Sequence, residues 1–409
     1  MLKNVKLKSV GKKRILLVWN YDRKDWIEPF LNLRDQFHFV FLSKYYEDKD
    51  KSASNTLEIE MVYWTDFSSP GEVLKRTQPD AIVFMSISNL PDIILNRVAQ
   101  KKGISTIILQ HGLFYSQETY KERAKLLAKT TGKLLPGTHS PKSWQVKYFL
   151  SGLMQGVSIV DGIRLCRYLF QKRKLTDVIA LEKNKFAARM PSKFVVYTKK
   201  NGIVYLQRDG ATESDMIVIG NPTLDRYFQP GTLTNLPFNN YYLLIDSPLY
   251  VEKSASSGFG FSKQRATDIY QGLAGYARAR GKKLVIKLHP FSYNEDELLL
   301  DPDVIYTRDE NDPKDLIACA EAVISFPSTL AIPAIYFKPV ILLKFAENSF
   351  LDFVSQAGLP VVSVKEISAE SPDPVWIESA RKFVLEECLY RADGKSLHRL
   401  KDALNDLCK

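Results

Sequence analysis

Cysteine is scarce in this sequence, and the few cysteines that it has are far apart. The chain has four of them, at positions 166, 319, 388 and 408, and no CxxC pair. Zinc sites and disulfide frameworks both depend on closely or regularly spaced cysteines. The sequence therefore predicts neither, we expect no metal site, and a reducing cytoplasm fits this cysteine usage best.

Long apolar runs are also absent. No uncharged stretch approaches the ~20 residues that a membrane-spanning helix needs. The apolar segment Ile15–Trp19 follows a basic N-terminal stretch but is too short for the hydrophobic region of a signal peptide, so we predict it as the first strand. Internal repeats with a period of about 20 to 50 residues are missing as well, which argues against a solenoid or propeller fold.

The composition is that of an ordinary globular protein, and the length exceeds that of one domain. Hydrophobic residues make up 45% of the chain and charged residues 25%, which argues against disorder. A chain of 409 residues is too long for a single ordinary core and indicates two domains. We place the boundary in the loop-forming run 230–238, which predicts domains at 1–230 and 238–409.

Short apolar runs alternate with helical patterns along most of the chain, and this alternation predicts parallel sheets. The predicted strands of the first domain are 14–20, 37–43, 58–64, 80–87, 105–110, 192–198 and 216–222. Those of the second domain are 241–246, 283–288, 304–307, 322–326 and 339–343. We therefore predict an α/β protein of two Rossmann-like domains that face a central cleft.

The net charge of +11 is concentrated in one segment. Positions 121 to 174 hold twelve Lys or Arg residues against two acids, among many leucines and aromatic residues. This composition is typical of basic amphipathic helices on an anionic membrane surface, with Lys172, Arg173 and Lys174 as predicted contacts. The alternative is a solvated helical insertion, spanning about 116–180, with its own small core. No nucleic-acid-binding motif accompanies the segment, so we expect no nucleic-acid partner.

Residues that directly follow parallel strands are the first candidates for a functional site, because ligands bind at the carboxyl ends of such strands. His111 follows the strand 105–110 and precedes Gly112, which allows a sharp turn. A neutral imidazole in this position can take a proton from an attacking hydroxyl. We therefore predict His111 as a general base, with Gln110 and Gly112 on the acceptor side; a purely structural histidine is the alternative.

Two basic side chains end a strand of the second domain. Lys287 and His289 are two residues apart, so both point to the same face of the strand, and Pro290 ends its ladder. An ammonium and an imidazole on one face suit a phosphate or a diphosphate. A lysine and a histidine at a plain sheet edge would be the structural alternative.

Polar residues follow two further strands of the second domain. Asp246 and Ser247 follow the strand 241–246, ahead of a loop with the sequence SASSGFGF. Ser325 ends another strand, and Ser328 or Thr329 can cap the next helix, whose free N–H groups would form an anion site. These residues complete a predicted binding site for a donor phosphate or nucleotide; for Ser328, a plain helix cap is the alternative.

Several motifs, in this order, resemble those of bacterial surface-polysaccharide transferases with the GT-B fold. KLHP at 287–290 resembles the HP motif of sialyltransferases, capsule Kdo transferases and teichoic-acid glycerophosphotransferases. SFPST at 325–329 resembles the Ser-Ser/Thr motif that follows it, and LLIDSPLY at 243–250 resembles a sialyltransferase strand. MIVIGNPTLDRY at 216–227 resembles the segment that closes the N-terminal domain of glycerophosphotransferases. The likeness covers about half of the chain.

The resemblance implies a metal-independent glycosyltransferase without a cofactor, whose donor is a nucleotide-activated sugar, with a CMP-linked sugar favoured. It implies that His289 contacts the donor phosphate and assists the leaving nucleotide, while Ser325, Ser328 and Thr329 hold the phosphate. The acceptor would be a glycan or lipid-linked glycan of a capsule, lipopolysaccharide O-antigen or other surface polymer. The enzyme would then lie in the cytoplasm, peripheral at the inner face of the anionic cytoplasmic membrane.

Two departures from these families bear on the choice among them. QHG at 110–112 stands where sialyltransferases have an acidic motif and glycerophosphotransferases have WHG, which leans toward the glycerophosphotransferase-like or Kdo-transferase-like branches. Pro333 stands where many GT-B enzymes carry a glutamate that binds donor hydroxyls. The alternatives are a CDP-polyol phosphotransferase of teichoic-acid type, a nucleotide-sugar 2-epimerase, and a non-catalytic scaffold of a polysaccharide synthesis complex.

Overall fold

Two parallel sheets organise this computed structural model, one in each of two units. Unit 1 comprises residues 1–223 and 395–409, and unit 2 comprises residues 224–394. The structure describes residues 11–19, 24–43, 60–112, 142–172, 174–175, 177–247, 249, 263–289, 301–308, 310–326, 328–344, 357–364 and 366–408.

Thirteen strands and thirteen α-helices lie within these described residues. The strands are β1 Lys13–Val18, β2 Phe37–Ser43, β3 Glu60–Tyr63, β4 Ala81–Phe84, β5 Ser105–Leu109, β6 Lys193–Val196, β7 Met216–Val218, β8 Tyr241–Ile245, β9 Lys283–Lys287, β10 Val304–Thr307, β11 Ala322–Ser325, β12 Val340–Lys344 and β13 Val361–Ser363. The helices are α1 Lys24–Leu31, α2 Pro70–Thr77, α3 Leu90–Lys101, α4 Lys142–Gln155, α5 Ile159–Lys172, α6 Asp177–Lys183, α7 Lys199–Asp209, α8 Asp225–Phe228, α9 Lys263–Arg278, α10 Pro313–Cys319, α11 Ala331–Phe337, α12 Glu378–Val384 and α13 Ser396–Leu407.

The sheet of unit 1 has the strand order β3-β2-β1-β4-β5-β6-β7, and its neighbouring strands pair in parallel. All seven strands predicted for the first half of the chain are present. β4 and the last four residues of β1 are apolar and lie buried in the middle of the sheet, as expected for strands that helices cover on both faces. The residues around Tyr205, between the predicted strands 192–198 and 216–222, belong to helix α7.

The helices of unit 1 begin and end at the residues that favour such ends. The Ser69 hydroxyl accepts a hydrogen bond from the Glu72 N–H at 3.1 Å, and Pro70 occupies the first helical position of α2. α3 gives way to Gly103, which has the left-handed φ of +76° and follows the cap residue Lys102. The local sequence therefore determines where α2 begins and where α3 ends.

The sheet of unit 2 has the order β10-β9-β8-β11-β12-β13, again with parallel neighbours. Counted from β8, this is the 3-2-1-4-5-6 order of a doubly wound fold. The five predicted strands are present, and the structure adds β13, a three-residue edge strand that the pattern did not predict. The predicted α/β architecture with two parallel sheets is thus confirmed.

The C-terminal helix α13 packs with unit 1, although the sequence pattern grouped it with the second domain at 238–409. Its buried residues Leu400 and Leu404 join the apolar cluster that contains Ile15 and Phe39. The Arg399 side chain also donates to the Ile219 carbonyl at 2.6 Å. An amphipathic helix is placed by the apolar surface that it covers, and here that surface belongs to the first sheet.

The described part of the basic insertion packs onto the rest of unit 1 through aromatic residues. The Trp144 indole of α4 donates to the Phe67 carbonyl at 2.8 Å and stacks on Tyr148 with ring centroids 4.9 Å apart. Gly152 lies directly against Ile94 of α3, where a Cβ atom would collide with that side chain. Within the described residues, no helix combines the length and apolarity needed to cross a bilayer.

Candidate functional site

The predicted donor residues of unit 2 lie at one edge of its sheet. β8, β9 and β11 are neighbours, and Ile245 pairs with Lys287 on one side and with Ser325 on the other. The strands therefore end level, with Asp246 after β8 and His289 after β9. β8 and β11 flank the point where the strand order reverses, which is the usual ligand site of such sheets. The predicted loop 254–261 and Pro290 lie outside the described residues.

Asp246 is buried, and protein groups hold its carboxylate. The Tyr270 hydroxyl, from α9, donates to Oδ1 at 2.8 Å. The backbone N–H of His289 reaches Oδ2 at 3.4 Å, and the backbone N–H of Asp246 donates to the Lys287 carbonyl at 3.1 Å. Asp246 thus ties the ends of β8 and β9 together, and its neighbour Ser247 is buried too. This arrangement makes Asp246 a residue that positions His289.

Lys287 is buried, and its ammonium donates to the Leu288 carbonyl at 3.4 Å. Hydrogen bonds from the backbone N–H groups of Arg308 and Glu310 lower the pKa of the Glu310 carboxyl, and the Thr307 hydroxyl and the positive charge of Lys287 lower it further. Thr307 pairs with Lys287 across the β9–β10 ladder. The positive charge of Lys287 at the strand end thus makes a small contribution to the lowered pKa of the Glu310 carboxyl.

The serine and threonine residues after β11 differ from their predicted role. α11 begins at Ala331 with Leu330 as its N-cap, so neither Ser328 nor Thr329 caps it. The Ser328 hydroxyl accepts from the Leu330 N–H at 3.3 Å. The next two N–H groups donate to the carbonyls of Ser328 and Thr329 at 3.0 and 3.2 Å.

The first turn of α11 therefore differs from the predicted anion site. Pro333 has no N–H, and the Ala334 N–H is directed at the Leu330 carbonyl. The backbone N–H groups that the prediction assigned to phosphate donate instead to carbonyl groups within the tight turn at Ser328. Ser325 is fully buried, and its hydroxyl donates to the Phe326 carbonyl at 2.6 Å. Lys287 and His289 remain the predicted phosphate contacts.

Gln110, in unit 1, anchors the end of β5. Its buried amide donates to the Asn201 side chain at 2.8 Å and to the Gly112 carbonyl at 3.0 Å, and it accepts from the Tyr197 N–H at 2.8 Å. Gly112 has the left-handed φ of +65° that its residue type favours. These contacts make Gln110 a residue that fixes the His111 turn from both sides.

His111 is half-buried between these two anchored residues. Its ring meets the edge of the buried Trp19 indole, with centroids 5.9 Å apart and planes at 79°. Trp19 follows β1, so the side chains after β1 and β5 approach each other at the carboxyl end of the sheet. The contact with Trp19 restricts the orientation of the imidazole at this end of the sheet.

One of the three predicted membrane contacts, Lys172, binds protein groups and does not face away from the protein. Its ammonium donates to the Ser88 carbonyl at 3.3 Å and to the Asn89 side chain at 3.0 Å, after β4. The prediction of Lys172 as a membrane-facing charge is therefore corrected, because its ammonium is bound by these two oxygens of the segment after β4. Lys174 is exposed over the Phe170 ring at 4.6 Å, and Arg173 lies outside the described residues.

Several residues of the site carried no sequence motif. Tyr270 lies in the middle of a helical pattern, and Asn201 lies one turn into another helix, so only the fold brings them to the strand ends. Glu310 closely follows the predicted strand 304–307, and that position was a signal that would have found it. Trp19 lies inside the predicted strand 14–20, so only the observed end of β1 at Val18 places it among the residues after a strand. Among the described residues, no group of three or more His, Cys, Asp or Glu side chains is placed to hold a metal ion.

Replacing Tyr270 with phenylalanine should lower the free energy of unfolding. The change removes a donor from a buried carboxylate, which costs about 1–3 kcal/mol of unfolding free energy, and it loosens the residue that positions His289. Tyr276→Phe is the matched control, because this tyrosine lies on the same helix and its hydroxyl donates to the Pro372 carbonyl. Denaturant unfolding measures the effect of each variant; a loss of unfolding free energy no larger in Tyr270→Phe than in Tyr276→Phe would contradict a special role for the contact with the Asp246 carboxylate.

The comparison with known proteins rests on structure. The sequence matches no model of a known protein family and no curated protein. The calicheamicin glycosyltransferase CalG4 aligns over 97% of this chain and 98% of its own, with 14% identity and a TM-score of 0.53. The wall teichoic acid polymerase TagF, in a variant soaked with CDPG, aligns over 97% and 89%, with 13% identity and a TM-score of 0.52. UGT2 of Phytolacca americana, complexed with UDP-2-fluoroglucose and pterostilbene, aligns over 97% and 100%, with 11% identity and a TM-score of 0.51.

The chain has the GT-B fold. Glycosyltransferases and a teichoic acid polymerase share it at identities that establish architecture alone. Within this GT-B fold, the residues assigned to the donor lie in unit 2 and those assigned to the acceptor lie in unit 1. Both sets follow the carboxyl ends of parallel strands, where doubly wound sheets bind their ligands.

Proposed function

We propose that this chain is a metal-independent glycosyltransferase that uses a nucleotide-activated sugar, with a CMP-linked sugar favoured, to build a bacterial surface glycan. The observation that carries the proposal is the edge of the unit 2 sheet, where Lys287 ends β9 while Asp246 and His289 follow β8 and β9. A GT-B fold with a cation and an imidazole at this edge fits an enzyme that binds a donor phosphate.

The donor half of the reaction is assigned to Lys287 and His289. As the bond between the sugar and the phosphate breaks, negative charge builds on the departing nucleotide. An ammonium and an imidazole that are already in place stabilise this charge without reorganisation. Asp246, held by Tyr270, keeps the His289 backbone at the strand end.

The acceptor half is assigned to His111. Its ring takes the proton from the acceptor hydroxyl as the oxygen attacks the sugar carbon. Gln110 and Gly112 keep the turn that presents the ring. We propose a glycan or a lipid-linked glycan as the acceptor, at the inner face of the cytoplasmic membrane. A lipid-linked acceptor would require the protein to have a surface that faces lipid.

A CDP-polyol phosphotransferase is the second candidate. Two observations favour it: a histidine follows β5 in the QHG motif, and TagF is among the structures that share the fold over almost the whole chain. In this reaction the acceptor oxygen attacks phosphorus, and the leaving group is CMP. The same two histidines would serve, so the donor decides between the two functions.

A donor screen tests both candidates. Thermal unfolding is followed with CMP, CDP and UDP, and transfer is followed with CMP-, CDP- and UDP-linked donors. A ligand at about one hundred times its Kd stabilises the folded state by about 2.7 kcal/mol, which a thermal shift detects. We expect a shift with CMP and transfer from a CMP-linked sugar.

The other outcomes each point elsewhere. Transfer from a CDP-polyol alone would select the phosphotransferase. Conversion of a nucleotide sugar without any acceptor would indicate an epimerase. A chain that no nucleotide stabilises would be a scaffold, and the proposed function would then fail.

A further inference from the structure

The outward faces of α4 and α5 expose an unusual number of large apolar side chains. Seven of the thirteen large apolar residues exposed within the described residues lie on these two helices, and Met154 and Ile159 are exposed by 83% and 79%. The seven, here called the apolar stripe, are Val146, Leu150, Met154, Ile159, Val160, Ile163 and Phe170.

The members of the apolar stripe follow helical spacing on each of the two helices. On α4 its members recur every fourth residue, which places them along one line of the helix surface. On α5, Ile159, Ile163 and Phe170 are spaced by four and seven residues, which is again a single face. The helices are separated by three residues, and Gly162 packs against Leu153 and Phe149.

The exposed charges described around the apolar stripe are all positive. On the two helices, the charged side chains that the structure describes as exposed are Lys147, Arg164 and Arg167. The single acid in the sequence of the two helices, Asp161, is buried and pairs with Arg97 at 3.4 Å. Lys174 adds an exposed cation just beyond the end of α5.

We propose that the apolar stripe and its cations form a surface that docks on an anionic lipid bilayer. Apolar side chains enter the boundary of the acyl chains, while lysine and arginine meet the phosphate groups of the lipids. This surface differs from the predicted membrane contact around Lys172, because the Lys172 ammonium is bound by Ser88 and Asn89. The proposal concerns binding alone and does not depend on the reaction that the enzyme catalyses.

Charge favours a bilayer over a second copy of the chain as the occupant. Two copies joined through this face would bring together the three exposed cations of the helices and Lys174 from each copy, and like charges at short range repel. An anionic bilayer supplies the opposite charge in any orientation of the helices. A protein partner would need acidic groups placed to match these particular cations, whereas an anionic bilayer presents phosphate groups across its whole surface.

Vesicle binding tests the docking surface. The full chain is sedimented with vesicles of phosphatidylcholine, alone or mixed with an equal part of phosphatidylglycerol. We expect binding to the mixed vesicles, weakened about tenfold or more in the double variant Leu150→Glu and Ile163→Glu. The double variant Arg164→Gln and Arg167→Gln should lose on the order of tenfold on the anionic vesicles alone.

Ile203→Glu is the matched control. This isoleucine is 47% exposed on α7 of the same unit, away from the apolar stripe in sequence, so its replacement should leave vesicle binding unchanged. Circular dichroism confirms that the variants fold. The proposal is overturned if the native chain does not sediment with anionic vesicles, if the glutamate variants bind as well as the native chain, or if they change the oligomeric state in solution while vesicle binding is retained.

Discussion

Replacing His289 with alanine should lower kcat/KM for transfer by on the order of 10²- to 10³-fold, while the folded structure is retained. The imidazole is the group that the proposed mechanism places against the charge of the departing nucleotide, and the loss of one preorganised donor has about this cost. Lys287 remains and still attracts the donor, so binding should weaken much less than turnover. Steady-state kinetics with the donor found by the screen give both numbers.

His398→Ala is the matched control for this experiment. His398 is an exposed histidine on α13 of unit 1, and its loss should leave transfer unchanged. A thermal unfolding curve for each variant separates a catalytic loss from a loss of fold. A His289→Ala enzyme with native turnover would remove the phosphate-binding argument, because the edge of unit 2 would then be a plain end of a sheet.

The His111→Ala variant should lose turnover and keep its donor affinity. General base catalysis contributes on the order of 10²- to 10⁴-fold, and the loss should fall on kcat because the base acts as the acceptor attacks. KM for the donor should change little, since the donor is assigned to unit 2. This split between kcat and KM distinguishes a base from a residue that binds the donor.

A structural role for His111 would give a different pattern. The ring packs against Trp19, so its removal opens space beside a buried indole and lowers stability. If packing were its only role, His111→Gln would restore most of the turnover by filling that space. We expect turnover in His111→Gln to stay low, because an amide is not a base. Recovery of native kcat in this variant would contradict the assignment.

Local pattern was sufficient for most of the sheets. β2 and β10 coincide with predicted strands, because each is an apolar run of strand length bounded by polar residues. Successive parallel strands place their carboxyl ends at one edge of the sheet, so the positions of His111, Lys287 and His289 at such edges followed once the strands were found. β13 was not predicted, because a strand of three residues is too short to show a recognisable apolar pattern.

Contacts between distant segments could not be predicted in the same way. Ser328 looked like a helix cap, yet the chain makes a tight turn first and begins α11 at Ala331. Lys172 looked like a solvent-facing charge, yet oxygen atoms after β4 hold its ammonium. In both cases the outcome depends on where a neighbouring backbone runs, and the local sequence does not contain that information.

The sequence by itself determined the alternation of strands and helices, the two-sheet α/β architecture and the strand ends at which the candidate residues lie. Apolar periodicity and strand length decide these features locally. Only the tertiary structure decided that Tyr270 holds Asp246, that Gln110 braces the His111 turn, and that α4 and α5 turn their apolar stripe outward. Burial and hydrogen bonding between residues far apart in the chain decide these features, because they depend on which surfaces the fold brings together.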